Sequence, residues 1–246
     1  MKKSDNVNNK KVVLITGASR GIGKSCALKL ANDNTVLVLI ARNVEELNNV
    51  AELCENLGAV VELISIDLSD VKKLKKQTEK VIKKYNKIDV LINNAGIWDE
   101  QPFMHGDMDK WDMALDVNLK SSIHLTRYCL EGMKNDSENR AIIFIGSTAS
   151  KKTYLGGTNY CAAKFGLLGF ANSLFEDIRE QGIKVSNILP GLVNTDMHKD
   201  DLKLEPEKMI QPEDVAKTVE FVLSMPNNVC PLEITLLPQK NPKKYY

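Results

Sequence analysis

Val12-Val-Leu-Ile-Thr-Gly-Ala-Ser-Arg-Gly-Ile-Gly23 is a short apolar run, rich in β-branched residues, that breaks into a glycine-rich turn. Val12–Thr16 reads as a strand buried on both faces. Gly17, Gly21 and Gly23 punctuate the turn, and a helical pattern begins at once after it. The spacing is not that of the general GxGxxG dinucleotide fingerprint. The physical requirements are the same: a tight turn, close approach of backbone to a diphosphate, and a helix N-terminus aimed at the anion. A glycine turn can also be purely structural. Its place between the first strand and the first helix favours the phosphate-binding reading.

The pattern repeats outward from this unit. Thr35–Ala41, Val60–Ile66, Ile88–Asn93, Ala141–Ser147 and Ile183–Leu189 are nearly continuous apolar runs, and Leu232–Leu237 is a seventh candidate. Helical periodicity fills the gaps. Val44, Leu47, Ala51, Cys54 and Leu57 form one stripe, with Asn43 as N-cap and Gly58 as stop. Val71, Leu74, Val81, Ile82 and Tyr85 form another after Ser69 and Asp70, and Phe165, Leu168, Phe175 and Ile178 mark a third. Repeated βαβ units predict an α/β fold, a doubly wound parallel sheet of the Rossmann type with about seven strands. No linker, repeat or composition shift divides the 246 residues, so a single domain 1–246 is expected, with 1–9 and 240–246 as flexible tails.

Composition narrows the function. With 43% hydrophobic and 26% charged residues the chain is an ordinary globular one. A net charge of +1 implies neither nucleic acid nor an anionic membrane as partner. Cys26, Cys54, Cys129, Cys161 and Cys230 are scattered and odd in number, which fits a reducing compartment. Neither they nor His105, His124 and His198 have metal-ligand spacing, so no metal is expected. The longest apolar run, Val36–Ala41, is far too short to cross a membrane, and a cytoplasmic location is expected.

Taken in order, the motifs resemble those of the short-chain dehydrogenase/reductase family, in its compact branch of about 250 residues. Thr16–Gly23 is similar to that branch's TGxxxGxG cofactor motif, and Asp67 follows the third strand where the family places an aspartate near adenine. Asn93-Asn-Ala-Gly96 matches NNAG, Asn118 stands at the position of the family's catalytic asparagine, and Ser147 ends the fifth strand. Tyr160 and Lys164 form YxxxK, and Pro190-Gly191 ends the sixth strand. The resemblance spans about residues 10 to 237 and implies hydride transfer between a nicotinamide cofactor and a small carbonyl or alcohol. It implies catalytic roles for Asn118, Ser147, Tyr160 and Lys164, with Asn118 keeping a water that links Lys164 to solvent. It also implies cofactor contacts from Gly17, Ser19, Arg20, Gly21, Ile22, Gly23, Arg42, Asp67, Asn94, Ala95, Gly96, Tyr160, Lys164, Pro190, Val193 and Thr195.

The chemistry of these residue types agrees. Tyr160 and Lys164 are four apart and share a helix face. A free phenol titrates near pH 10, and an adjacent ammonium is expected to lower that value and ready Tyr160 for proton transfer. The Ser147 hydroxyl can bond the same substrate oxygen; no GxSxG elbow marks it as a nucleophile. For the cofactor, the second strand ends Ala41-Arg42, with no acid to hold a free ribose hydroxyl. Arg42 and Arg20, without a neighbouring carboxylate, suit a 2′-phosphate, so NADP(H) is expected. An NAD-dependent alcohol dehydrogenase, a 3-oxoacyl thioester reductase and a silent cofactor-binding protein are the alternatives. Fatty-acid ketoreductases of the family end in a segment resembling VDGG, whereas this chain ends Leu232-Glu-Ile-Thr-Leu-Leu-Pro238.

Trp98 and Tyr154, with Ser147 and Tyr160, are the candidate substrate lining. Thr148, Gly156, Met197 and His198 are further candidates. Asn194–Glu207, which carries Asp196, Lys199, Asp200 and Asp201, is expected to act as a lid. The apolar positions Trp111, Leu115, Leu119, Ile123 and Leu130 offer a face for a homodimer or homotetramer, or for burial within one subunit.

Overall fold

The structure, a computed structural model, describes residues 9–98, 100–134, 139–198 and 201–243. Most of the first expected tail (1–8), the end of the second (244–246), and Lys199 and Asp200 of the expected lid lie outside the described residues. Seven strands form one sheet in the order β3-β2-β1-β4-β5-β6-β7. They are β1 (Lys11–Thr16), β2 (Thr35–Ala41), β3 (Val60–Ser65), β4 (Val90–Asn93), β5 (Ala141–Ile145), β6 (Lys184–Pro190) and β7 (Glu233–Leu236), and every pairing is parallel.

Alternation along the strands builds two cores. Val12, Leu14, Val36, Val38, Ile40, Ile142 and Phe144 face one side, while Val13, Ile15, Leu37, Leu39, Ile143 and Ile145 face the other. Helices α3 (Val71–Tyr85), α5 (Ser121–Cys129) and α6 (Thr158–Ile178) cover the first face. Helices α1 (Gly21–Leu30), α2 (Val44–Asn56) and α7 (Pro212–Ser224) cover the second. With both faces buried, hydrophobic burial requires the near-continuous apolar runs seen in the sequence. The chain leaves β1 toward β2 and returns to β4 on the opposite side, so the loops after β1 and β4 diverge. A crevice opens there, at the carboxyl edge of the sheet.

Local chemistry sets the boundaries. Asn43 caps α2 by accepting from the Glu46 N–H at 3.2 Å, and Gly58 stops it at φ +94°. Asp70 caps α3 through the Lys73 N–H at 3.0 Å. Ser147, read as the end of a strand, lies past β5 and caps a 3₁₀ turn, Thr148–Ser150.

Two expectations are corrected. The buried stripe of α6 is Tyr160, Lys164, Leu167, Ala171, Leu174 and Ile178, whereas Phe165 is 44% exposed. The sequence stripe, drawn through the larger residues, shares Ile178 with the buried one but runs one position off at Phe165, Leu168 and Phe175. The stretch 240–243, expected to fray, is fastened: Lys243 bridges to Leu204, and the Glu205 N–H donates to Pro242 O at 2.8 Å. The segment expected to be a lid, Asn194–Glu207, is anchored at its flanks. Val193 bridges to Ile210, the Asn194 N–H donates to Ile210 O at 2.8 Å, and Leu204 is buried. Of the helix face offered for assembly, Leu119 and Leu130 pack against the subunit's own core and Trp111 is buried. Among the described residues, no helix is long and apolar enough to cross a membrane.

Candidate active site

The glycine turn is locked to the end of β4 by side chains. Thr16 Oγ1 accepts from the N–H groups of Asn94 and Ala95, each at 3.0 Å. The Asn94 amide donates to Thr16 O at 2.8 Å and to Gly17 O at 3.2 Å. Asn94, expected to touch the cofactor, therefore shapes the turn from behind. Gly23 permits the closest approach, because a Cβ there would sit 2.2 Å from Gly17 O. Thr195 lies over the turn, its Cγ2 being 3.2 Å from where a Cβ of Gly21 would be. Pro190 ends β6, and Gly191 donates its N–H to Leu236 O at 2.8 Å, so this strand end is tied to β7.

This edge fits a nicotinamide dinucleotide. Helix α1 has no side-chain N-cap and no acid in its first turn, so the amides after Arg20, from Gly21 through Gly23, are open to a diphosphate. Ser19 and Ile22 belong to the same turn. Past the ends of β2 and β3 a cavity of about 390 Å³ is lined by Arg42, Ser65, Ile66, Asp67, Asp70 and Lys73. Lys73, which the sequence places on a solvated helix face, lies on this wall in an exposed ion pair with Asp70.

The arginines do have neighbouring carboxylates, contrary to expectation. Arg42 lies 3.9 Å from Asp67, and Arg20 lies 3.3 Å from Asp196. The first contact follows from strand register: Ala41 pairs with Ser65, which brings the residues just past each strand together. Both pairs are well exposed and so contribute little. The Asp67 carboxyl is held below its usual range chiefly by the Ser69 N–H, with Arg42 a lesser cause. A phosphate can therefore recruit Arg42 cheaply.

At the other end of the crevice the four expected catalytic residues converge. Tyr160 and Lys164 lie on the buried stripe of α6 and are only 6% and 3% exposed. Lys164 Nζ donates to Ile145 O at the end of β5 (3.1 Å) and stands 5.6 Å from the Tyr160 ring centre. Ser147 stands close enough to the Tyr160 hydroxyl to pull its pKa downward. Asn118 occupies a π-helical turn (Asp116–Lys120) between α4 (Met108–Leu115) and α5, where extra-wide turns often mark function. Its amide brackets Ile97, accepting from the Ile97 N–H at 2.8 Å and donating to Ile97 O at 2.9 Å. Gly96 permits this, since a Cβ there would lie 2.9 Å from Asn118 Oδ1 and 3.7 Å from Lys164 Nζ.

The electrostatics also differ from expectation. Burial pushes the Tyr160 phenol up to about 12, although Ser147 pulls the other way. The ammonium does not win here, because burial also drives Lys164 down to about 8.

Comparison with known proteins fits this geometry. The family model described as short chain dehydrogenase matches residues 11–205. An uncharacterized oxidoreductase of Staphylococcus saprophyticus is 32% identical over 229 residues, covering 93% of this chain and 97% of that protein. A 3-oxoacyl-[acyl-carrier-protein] reductase of Buchnera aphidicola is 34% identical over 189 residues, 76% of each. Among solved structures, an alcohol dehydrogenase from the archaeon Thermococcus sibiricus, complexed with 5-hydroxy-NADP, is similar with a TM-score of 0.86 and 25% identity. That match covers 96% of this chain and all of the other.

The Thr16 clamp is directly testable. Thr16→Val keeps the shape and strands two N–H groups, so it is expected to cost about 2–4 kcal/mol of unfolding free energy. It should weaken dinucleotide binding as well, and Thr16→Ser should restore both. Urea unfolding and calorimetric titration with the cofactor check this.

Proposed function

The chain belongs to the short chain dehydrogenase family, whose members use a nicotinamide cofactor, and from that premise we propose that it is an NADP(H)-dependent reductase of small carbonyl compounds. The observation that carries the reading is the buried Tyr160–Ser147–Lys164 cluster at the carboxyl edge, beside a glycine turn suited to a dinucleotide. Five free cysteines accord with a cytoplasmic enzyme. The exposed Phe165 and Met113 leave apolar surface for a homodimer or homotetramer.

A nicotinamide cofactor held by the glycine turn, Gly17 to Gly23, would supply hydride for the carbonyl carbon. Tyr160 gives its proton to the carbonyl oxygen, and Ser147 bonds the same oxygen as charge develops on it. Lys164, in its ammonium form, stabilises the phenolate left behind. Asn118 is a positioning residue: through Ile97 it fixes the loop after β4 against Gly96 and Lys164. A phenol held near 12 keeps its proton at neutrality, which suits the acid needed for reduction better than the base needed for oxidation. Arg42, Arg20 and Lys73 would meet the 2′-phosphate of NADP(H), Lys73 and Arg42 from the wall of one cavity.

Tyr160→Phe is expected to lower kcat by about 10²-fold or more while cofactor affinity is kept; steady-state rates and titration with NADPH separate the two. The pH profile of reduction should fall as pH rises through about 8, where Lys164 loses its proton, and not near 12. Lys164→Arg, if active, should move that limb upward. NADPH should be preferred over NADH by roughly tenfold in kcat/KM, with Arg42→Ala and added salt both eroding the ratio. Equal or better use of NADH by the unmutated protein would refute the NADP(H) reading.

A further inference from the structure

Trp98 and Tyr154 come from different loops. The first follows β4 and the second lies past the 3₁₀ turn that follows β5. Their rings nonetheless stack almost parallel, with centres 5.5 Å apart and planes 6° apart. The indole also lies 4.9 Å from the Tyr160 ring, tilted by 58°. It packs against the small cluster of Ala149, Tyr160 and Cys161, which is separate from the two main cores.

The backbone is arranged to hold this pair. The Gln101 N–H donates to Gly156 O at 3.1 Å, tying the two loops together just beyond the rings. Gly157 lies against the Tyr154 ring so closely that a Cβ there would fall 2.3 Å from its Cζ. The same residue precedes α6, so the floor beneath Tyr154 is continuous with the helix that carries Tyr160 and Lys164. The core gains little from this arrangement. Tyr154 is 37% exposed and Trp98 is only partly buried.

With the indole centre 4.9 Å from the Tyr160 ring, a substrate whose oxygen reaches the Tyr160 hydroxyl brings the atoms next to its carbonyl within reach of the Trp98–Tyr154 pair. A flexible alkyl chain gains only apolar contact there. A flat ring gains that contact and also a preferred offset-stacked or edge-to-face geometry, which adds to area burial. We infer that the substrate class is ketones or aldehydes bearing a planar aromatic or conjugated ring within a bond or two of the reacting carbonyl, the ring extending the Trp98–Tyr154 stack. This rests on the reading of Tyr160 as proton donor and adds the part of the substrate that is recognised.

The test compares two ketones with the same reacting group. 1-Phenylpropan-2-one and 1-cyclohexylpropan-2-one share an unconjugated methyl ketone one methylene from a six-membered ring, flat in one and puckered in the other. For each, kcat/KM is measured with NADPH, and affinity is measured by calorimetric titration of the protein saturated with NADP⁺. The phenyl compound is expected to be favoured about fivefold in both measurements. Trp98→Leu should bring the ratio to about one, and Trp98→Phe should keep most of it. Reading a ratio cancels any general damage to Tyr160 next door. Should Trp98→Leu fail to fold, Tyr154→Leu is read by the same ratio.

A wild-type ratio at or below one overturns the inference. So does a ratio unchanged by the leucine variants, or the absence of measurable binding by either ketone. Binding in the expected ratio with neither compound reduced would uphold ring recognition and count against the reductase reading instead.

Discussion

One threonine hydroxyl holds the two walls of the crevice at a fixed separation. β1 and β4 are neighbours whose following loops diverge, and such an opening is useful only if its width is constant. Thr16 Oγ1 takes two N–H groups from the chain after β4, and Asn94 returns two bonds to the glycine turn. The turn is therefore not a flexible loop that happens to contain glycine. It is a rigid cradle fastened at its back, and its front amides are left for a ligand. Rigidity of this kind lets a scaffold bind a diphosphate without ordering a loop at the moment of binding.

The second organising fact is that the Tyr160–Lys164 pair belongs to the core. Tyr160 and Lys164 lie on the stripe that continues through Leu167, Ala171, Leu174 and Ile178 to pack α6 on the sheet. Packing density fixes their side chains more firmly than a surface position could. The same burial supplies the electrostatics, raising the phenol and lowering the ammonium. A low-dielectric site makes each charge costly, so a charge that appears during reaction interacts strongly with whatever faces it. Packing and the shifted titration of the pair thus have one cause here.

Legibility in the sequence followed the range of the interactions. Strands β1, β2, β4, β5 and β6 could be read because burial on both faces leaves a local signature in each, and YxxxK could be read because one helix turn sets its geometry. The bracket between Asn118 and Ile97 left no such signature, since it joins a loop to a π-helical turn 21 residues away. Trp98 and Tyr154 could be named individually but their parallel stack could not. The pairing of Arg42 with Asp67 was missed although the register of β2 on β3 contains it, because each strand was read alone. On α6 the error was one of emphasis: Phe165 is larger than Leu167, but size does not say which face is buried.

The span of chain enclosed by the crevice has a consequence for how the molecule comes into being. The bonds from Thr16 to Asn94 and Ala95 close loops of 78 and 79 residues, and that from Arg20 to Asp196 one of 176. Loop closure of this length costs entropy that only later contacts recover, so such topologies fold slowly. On the ribosome the glycine turn emerges before its back wall, which is absent until β4 has been made, and before its cover, which is absent until the chain has passed Asp196. The nascent chain thus has no complete cradle while those segments are unmade. Ligand stabilisation of the fold acts on the finished chain and not on its early fragments.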